Sequence, residues 1–232
     1  MLRTPARAGQ TTHICSLRPE SSQTGTKRFG ATAAPSPRIH SARMAANVEN
    51  LRICVYPDPA LRQRGAAIDP IDDHVRAVAA RMIELMREAE GVGLAAPQIG
   101  LPWQLFVAHA PGQEDEEEAA DSGGAVDSTP APIVCVNPSL SDFEGAPEPH
   151  EEGCLSLPDI RGDVLRPPIV TLTATDLDNQ PFSIRCSGLL ARCVQHECDH
   201  LDGVLIIDKM VQMSRMKNRT LVRDLERSAQ RR

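Results

Sequence analysis

Aromatic side chains are scarce in this 232-residue chain: one Trp, one Tyr and four Phe, 3% in all. The core must therefore be filled by Leu, Val, Ile, Met and Ala. No apolar run approaches the roughly 18–20 residues of a membrane-spanning helix, and no secretory apolar stretch follows Met1, so no membrane partner is expected. Positive charge is not in excess. The formal net charge is −6, which removes any global electrostatic argument for DNA binding. The seven cysteines lack the spacing of a disulfide-stapled scaffold. In a chain of this length they read as reduced thiols of a cytosol-like compartment, with room for a metal ligand among them.

Acids and apolar periodicity are both missing from residues 1–43, where Glu20 is the single acid. Rich in Ser, Thr, Pro, Arg and Ala, this stretch cannot bury enough surface to offset its ordering entropy. It reads as an organellar transit peptide, or as a disordered tail upstream of a true start at Met44. The missing amphipathic pattern favours the tail, and with it a bacterial-type cytoplasm; a genuine transit peptide would place the protein in an organelle. The expected division is an extension over 1–47, a catalytic domain over 48–208 and a basic helix over 209–232.

What is present is a series of short strands around two clear helices. Alternation predicts strands at 52–56, 103–108, 133–136, 169–175 and 182–186. Asp69-Pro70 reads as a cap followed by an N1 proline, opening a helix with Ile71, Val75, Val78, Met82, Ile83 and Met86 inward and Gly91 as its stop. Residues 111–132 break the pattern with Glu114-Asp115-Glu116-Glu117-Glu118 and a Gly/Ser/Pro stretch, expected to be a solvated acidic insertion. Ser187 caps a second helix ending near Gly203, with Leu189, Leu190, Cys193, Val194 and Leu201 facing inward. The tail from Lys209 reads as helical, with Met210, Met213, Met216, Leu221 and Leu225 as its apolar face. This order of elements predicts an α+β fold: short antiparallel or mixed sheets packed around a central helix, plus a C-terminal helix.

That central helix carries His196-Glu197-Cys198-Asp199-His200. Residues four apart share a helix face, so both imidazoles can address one metal ion, and Glu197 can accept a proton from water there. Cys154, in Glu152-Gly153-Cys154-Leu155-Ser156, is the candidate third ligand. A thiolate with two imidazoles leaves a coordination position open, as catalysis requires. Cys198 points away from both histidines, whereas Cys193, three residues before His196, stays open as an alternative ligand. A third segment, Gly91-Val92-Gly93-Leu94-Ala95-Ala96-Pro97-Gln98, is a small-residue turn that lets backbone approach a ligand closely. Its Gln98 is either a surface amide or a donor aimed into a site. It does not fit the dinucleotide fingerprint, which needs strand, glycines and then helix.

Taken together, from about Leu51 to the C-terminus, these three segments resemble the peptide deformylases, which carry G-φ-G-φ-A-A-x-Q, E-G-C-φ-S and H-E-x-x-H motifs in this order. The resemblance implies Cys154, His196 and His200 as metal ligands and Glu197 as catalytic acid/base. It implies Gln98 and the Leu155 backbone N–H as oxyanion donors. Val92, Gly93 and Gly153 match positions that hold the substrate backbone; Leu189, Cys193 and Val92 match the wall of a methionine pocket; Arg161 matches a residue of the rim. The implied cofactor is one divalent ion, Fe2+ before Zn2+, Ni2+ or Co2+, and the implied substrate is the formyl-methionyl end of a nascent polypeptide. By the same resemblance the cations of the C-terminal helix (Arg215, Lys217, Arg219, Arg223, Arg227, Arg231, Arg232) could contact the ribosome; a solvated face is the alternative. A zincin-type protease would need a further His or Glu ligand downstream, where no His follows His200 and Glu226 lies far out in the tail. A non-catalytic binding module would need neither Glu197 nor Gln98.

Overall fold

The computed structural model describes residues 38–39, 47–112 and 124–231; all belong to one unit spanning residues 36–232. In the segment expected to be an extension, a two-residue strand β1 (Arg38–Ile39) pairs in parallel with β2 (Ala67–Ile68). Helix α1 (Asp73–Glu88) follows, then β3 (Gly93–Ala95), β4 (Leu105–Ala108), β5 (Ile133–Glu144), β6 (Glu148–Cys154), β7 (Leu157–Arg166), β8 (Ile169–Thr175) and β9 (Pro181–Cys186). Helices α2 (Gly188–Leu201), α3 (Ile206–Lys209) and α4 (Gln212–Ala229) complete the chain. The fold is α+β, as the sequence indicated. A five-stranded antiparallel sheet runs in the order β3-β4-β5-β8-β9, and β6 and β7 form a separate hairpin.

Strand periodicity sets the layers. Along β4, Leu105 and Val107 join the core on the α1 side, and Phe106 and Ala108 join the core beneath α2. All four are fully buried, so the strand is covered on both faces. The main sheet thus separates α1 from the motif helix α2 and gives the latter a rigid floor.

Several boundaries differ from the sequence reading. Helix α1 starts later than Asp69-Pro70, because Asp72 takes the cap and accepts a hydrogen bond from the Val75 amide at 3.0 Å; Ile71 stays ahead of the helix, in the core. Residues 52–56 form no strand. Their amides serve two different partners, Cys54 donating to the Gln98 carbonyl (2.7 Å) and Tyr56 to the Ser156 carbonyl (2.9 Å). Ser187 occupies the cap of α2 without a side-chain capping bond. In that helix Leu189 does not pack inward; it is 45% exposed.

The acidic run over 113–123 lies outside the described residues. The stretch after it is not a free loop: Val126 bridges Cys186, and Ala125 and Thr129 are buried. The apolar face expected of the tail is borne out in part: Met210 is buried and Leu225 packs on the core. Met213, Met216 and Leu221 are exposed, and the buried residues of α4 are Ser214 and Asn218. No described helix is long and apolar enough to cross a membrane.

Candidate metal centre

Two elements deliver the three donors. Helical spacing in α2 stacks His196 and His200, whose Nε2 atoms are 3.2 Å apart. The β6–β7 hairpin brings Cys154 in at its tip, with Sγ 3.2 Å from His200 Nε2. The three donor atoms lie within 4.8 Å of one another. Cys193 is not among them. Its buried thiol donates to the Val92 carbonyl at 3.2 Å, which closes the alternative left open by spacing. Cys198 faces a different cavity, beside Gln104 and Asp202.

The donor chemistry fits a cation. His196 Nδ1 lies 3.1 Å from Glu152 Oε2. Donating there leaves the Nε2 lone pair for the site. Two imidazole lone pairs and a sulfur converging this closely repel one another unless positive charge sits between them. One thiolate and two imidazoles suit zinc or ferrous iron.

Glu152 is held in turn. Arg166, 2% exposed, grips both its carboxylate oxygens at 2.6 and 2.9 Å and reaches Asp199 at 2.8 Å. Burial alone would raise the Glu152 pKa, but the bonds from His196 and Arg166 win and lower it to about 2. Glu152 is therefore a fixed negative charge behind His196. Burial also acts downward on His196, yet its bonds to Cys154 and Glu152 raise it well above the ordinary value. Burial and the neighbouring His196 push His200 well below it.

Glu197 is a second carboxylate buried beside the donors. It is 3% exposed, and burial raises it to about 7. Its Oε2 has no hydrogen-bond partner among the described residues. A Cβ on Gly93 would stand 2.3 Å from Glu197 Oε1 and 2.9 Å from Cys193 Sγ, so glycine at 93 is what gives this carboxylate room. Gln98 sits on the short 3-10 turn Ala96–Ile99. Its Oε1 accepts from the Ala95 amide at 2.8 Å, which aims Nε2 at Cys154 Sγ (3.6 Å) and Ser156 Oγ (3.2 Å). Gln98 is buried, not a surface amide.

A cleft of about 540 Å³ opens over this centre. Val92, Gly93, Gln98, Gly153, Cys154, Leu155, Arg161, Leu189, Cys193, His196 and Glu197, all singled out from sequence, line it; His200 is buried beneath as the remaining donor. The Leu155 side chain covers Gly91, where a Cβ would meet it at 2.7 Å. Sequence reasoning missed Glu152, Ser156 and Arg166 as parts of the site. Glu152 had a usable signal, since residues two apart on a strand share a face and it stands two before Cys154. Arg166 had none.

Three donors beside a buried glutamate, at the base of a peptide-sized cleft, define a site of the hydrolase class. The polypeptide deformylase family model matches residues 50–216. A peptide deformylase of Opitutus terrae is 44% identical over 168 residues, covering 72% of this chain and 88% of that protein. The chloroplastic peptide deformylase 1B of Solanum lycopersicum is 42% identical over 160 residues, covering 69% of this chain and 53% of that protein. The chain thus spans about half the length of the plant relative. The crystal structure of Arabidopsis thaliana peptide deformylase 1B in complex with an inhibitor superposes with a TM-score of 0.67 at 36% identity, covering 78% of this chain and 93% of that one. The chain belongs to the polypeptide deformylase family, and it is a hydrolase.

Proposed function

We propose that this enzyme removes the formyl group from the N-terminal formyl-methionine of newly made polypeptides and releases formate. The observation that carries this reading is the convergence of Cys154, His196 and His200 beside a buried, unpartnered Glu197. Cys154, His196 and His200 would hold one divalent ion, Fe2+ before Zn2+, Ni2+ or Co2+; when bound it supplies Lewis acidity that activates water and polarises the formyl carbonyl.

Everything else falls to the chain's own groups. Glu197 takes the proton of the attacking water and returns it to the leaving amine, a task suited to a carboxylate raised to about 7. The Gln98 Nε2 and the Leu155 backbone N–H donate to the oxyanion that develops at the formyl oxygen. Backbone groups of Val92, Gly93 and Gly153 hold the peptide in extended form. Val92, Leu189 and Cys193 wall the methionine side chain, and Arg161 stands at the rim.

The partner is the formyl-methionyl nascent chain, met in a bacterial-type cytoplasm. The alternative is an organelle, and a native amino terminus trimmed within residues 1–43, read by mass spectrometry, would select it. Contact with the ribosome through the exposed cations of α4 belongs to the same reading. The direct test is formate release from formyl-Met-Ala-Ser under anaerobic conditions with Fe2+. Formate should appear, with none of the Met–Ala bond cut and no turnover of acetyl-Met-Ala-Ser. Peptide-bond cleavage instead would point to a protease and overturn the proposal.

A further inference from the structure

Helix α4 packs Val222 and Leu225 on the core cluster beneath β7, but its most buried residues are polar. Its apolar Met213 and Met216 are 63% and 64% exposed, while Ser214 and Asn218 are 5% and 7% exposed. Both polar side chains are spent on β7. Asn218 Nδ2 donates to the Arg161 carbonyl at 2.7 Å. The Asp163 amide donates to Ser214 Oγ at 3.0 Å, and the Ser214 hydroxyl reaches Asp163 Oδ2 at 3.2 Å. The Val211 amide, just before the helix, donates to the Asp163 carbonyl at 2.9 Å. Gly162, between these positions, permits the approach: a Cβ there would stand 2.7 Å from Ser214 Cβ.

Arg161 and Asp163 direct these backbone groups away from β6, along the outer edge of a two-stranded hairpin that is otherwise bridged by Met210 at Val164. Such a hairpin is marginal by itself, and an open edge leaves its polar groups to water. The hairpin carries Cys154 at its tip and pairs Gly153 with Arg161 across its width. The Arg161 guanidinium lies against the bare face of Gly153, 3.4 Å from where a Cβ would be. Both residues line the cleft. The far end of α4 is tied as well, with Tyr56 Oη donating to Glu226 at 2.8 Å and the Tyr56 amide bonded to the hairpin turn at Ser156.

We propose that α4 serves as the third strand that the hairpin lacks, and that Asn218 and Ser214 are positioning residues for the Gly153–Arg161 wall of the cleft. They set the grip on the peptide beyond its formyl-methionine and leave the bond-breaking groups alone. This rests on the deformylase reading for its kinetic arm only.

The test is Asn218→Ala in the full chain, measured in two ways. KM for formyl-Met-Ala-Ser should rise about 3–10-fold, the size of one lost hydrogen bond, with kcat held within about twofold. KM for formyl-methioninamide, which has nothing beyond the methionine, should not move. Amide hydrogen exchange over residues 148–166 should speed up in Asn218→Ala, reaching the Asp163 amide although its own partner, Ser214 Oγ, is intact. Ser214→Ala should repeat the pattern and carries the test if Asn218→Ala does not fold; Met216→Ala, on the outer face, should change nothing. Equal losses on both substrates, or a lower kcat at constant KM, would overturn the proposal. If the wild type releases no formate the deformylase reading fails, and exchange decides alone: an unchanged Asp163 amide rejects the positioning role, and a faster one upholds it.

Discussion

At Glu152 a single buried carboxylate determines how His196 presents itself. Its charge is fixed by Arg166 and by His196 itself, and its pKa near 2 keeps it ionised across the physiological range. Glu152→Gln keeps the shape but removes the charge that holds the His196 Nδ1 proton. Metal affinity should fall about 10–100-fold, read by competition with a chelator; unchanged affinity would contradict the role. Much of the site at this scale was legible in the sequence. His196 and His200 follow from helical spacing, and Cys154 from the need for a third donor. Arg166 was not legible, because from the end of β7 its side chain reaches Glu152 on β6 and Asp199 on α2, an approach no local pattern encodes. The choice between Cys154 and Cys193 was equally closed to spacing. It is decided by the direction of the Cys193 thiol, which is spent on the Val92 carbonyl.

The elements divide into those that local periodicity writes and those it does not. Helices α1 and α2 and strands β4, β8 and β9 bury apolar residues at regular intervals, so their positions were readable to within a few residues. The β6–β7 hairpin was invisible. Glu148-Pro149-His150-Glu151-Glu152-Gly153 has no apolar alternation, because the core face of the hairpin is supplied by Leu157, Ile160 and Val164 of β7. Helix α4 itself was found, with Leu225 and, just ahead of the helix, Met210 inward as expected, but Met213, Met216 and Leu221 face out. Its outward Met213 and Met216 stand among exposed Lys217, Arg219 and Arg223. The proposed ribosome contact would use this face. Co-pelleting with ribosomes should weaken as salt rises, and should be lost in the Lys217→Glu, Arg223→Glu double variant; pelleting indifferent to both would leave the face simply solvated.

Across the whole molecule, three segments separated by tens of residues meet at one centre. The extended stretch 52–56 stitches two of them together, bonding the Gln98 carbonyl through Cys54 and the Ser156 carbonyl through Tyr56. The main sheet supports the third by flooring α2. The site is thus a property of the fold, with His196, Glu197 and His200 on α2, Cys154 at the hairpin tip and Gln98 on the 3-10 turn. The most direct test of that division of labour is one anaerobic preparation of wild type and of Glu197→Gln, each assayed for bound metal and for formate release. One ion per chain should be found in both. Formate should come from the wild type, with the variant slower by about 10²–10⁴-fold. A variant that binds the ion and still releases formate at the wild-type rate would contradict the assignment of Glu197 as the proton carrier.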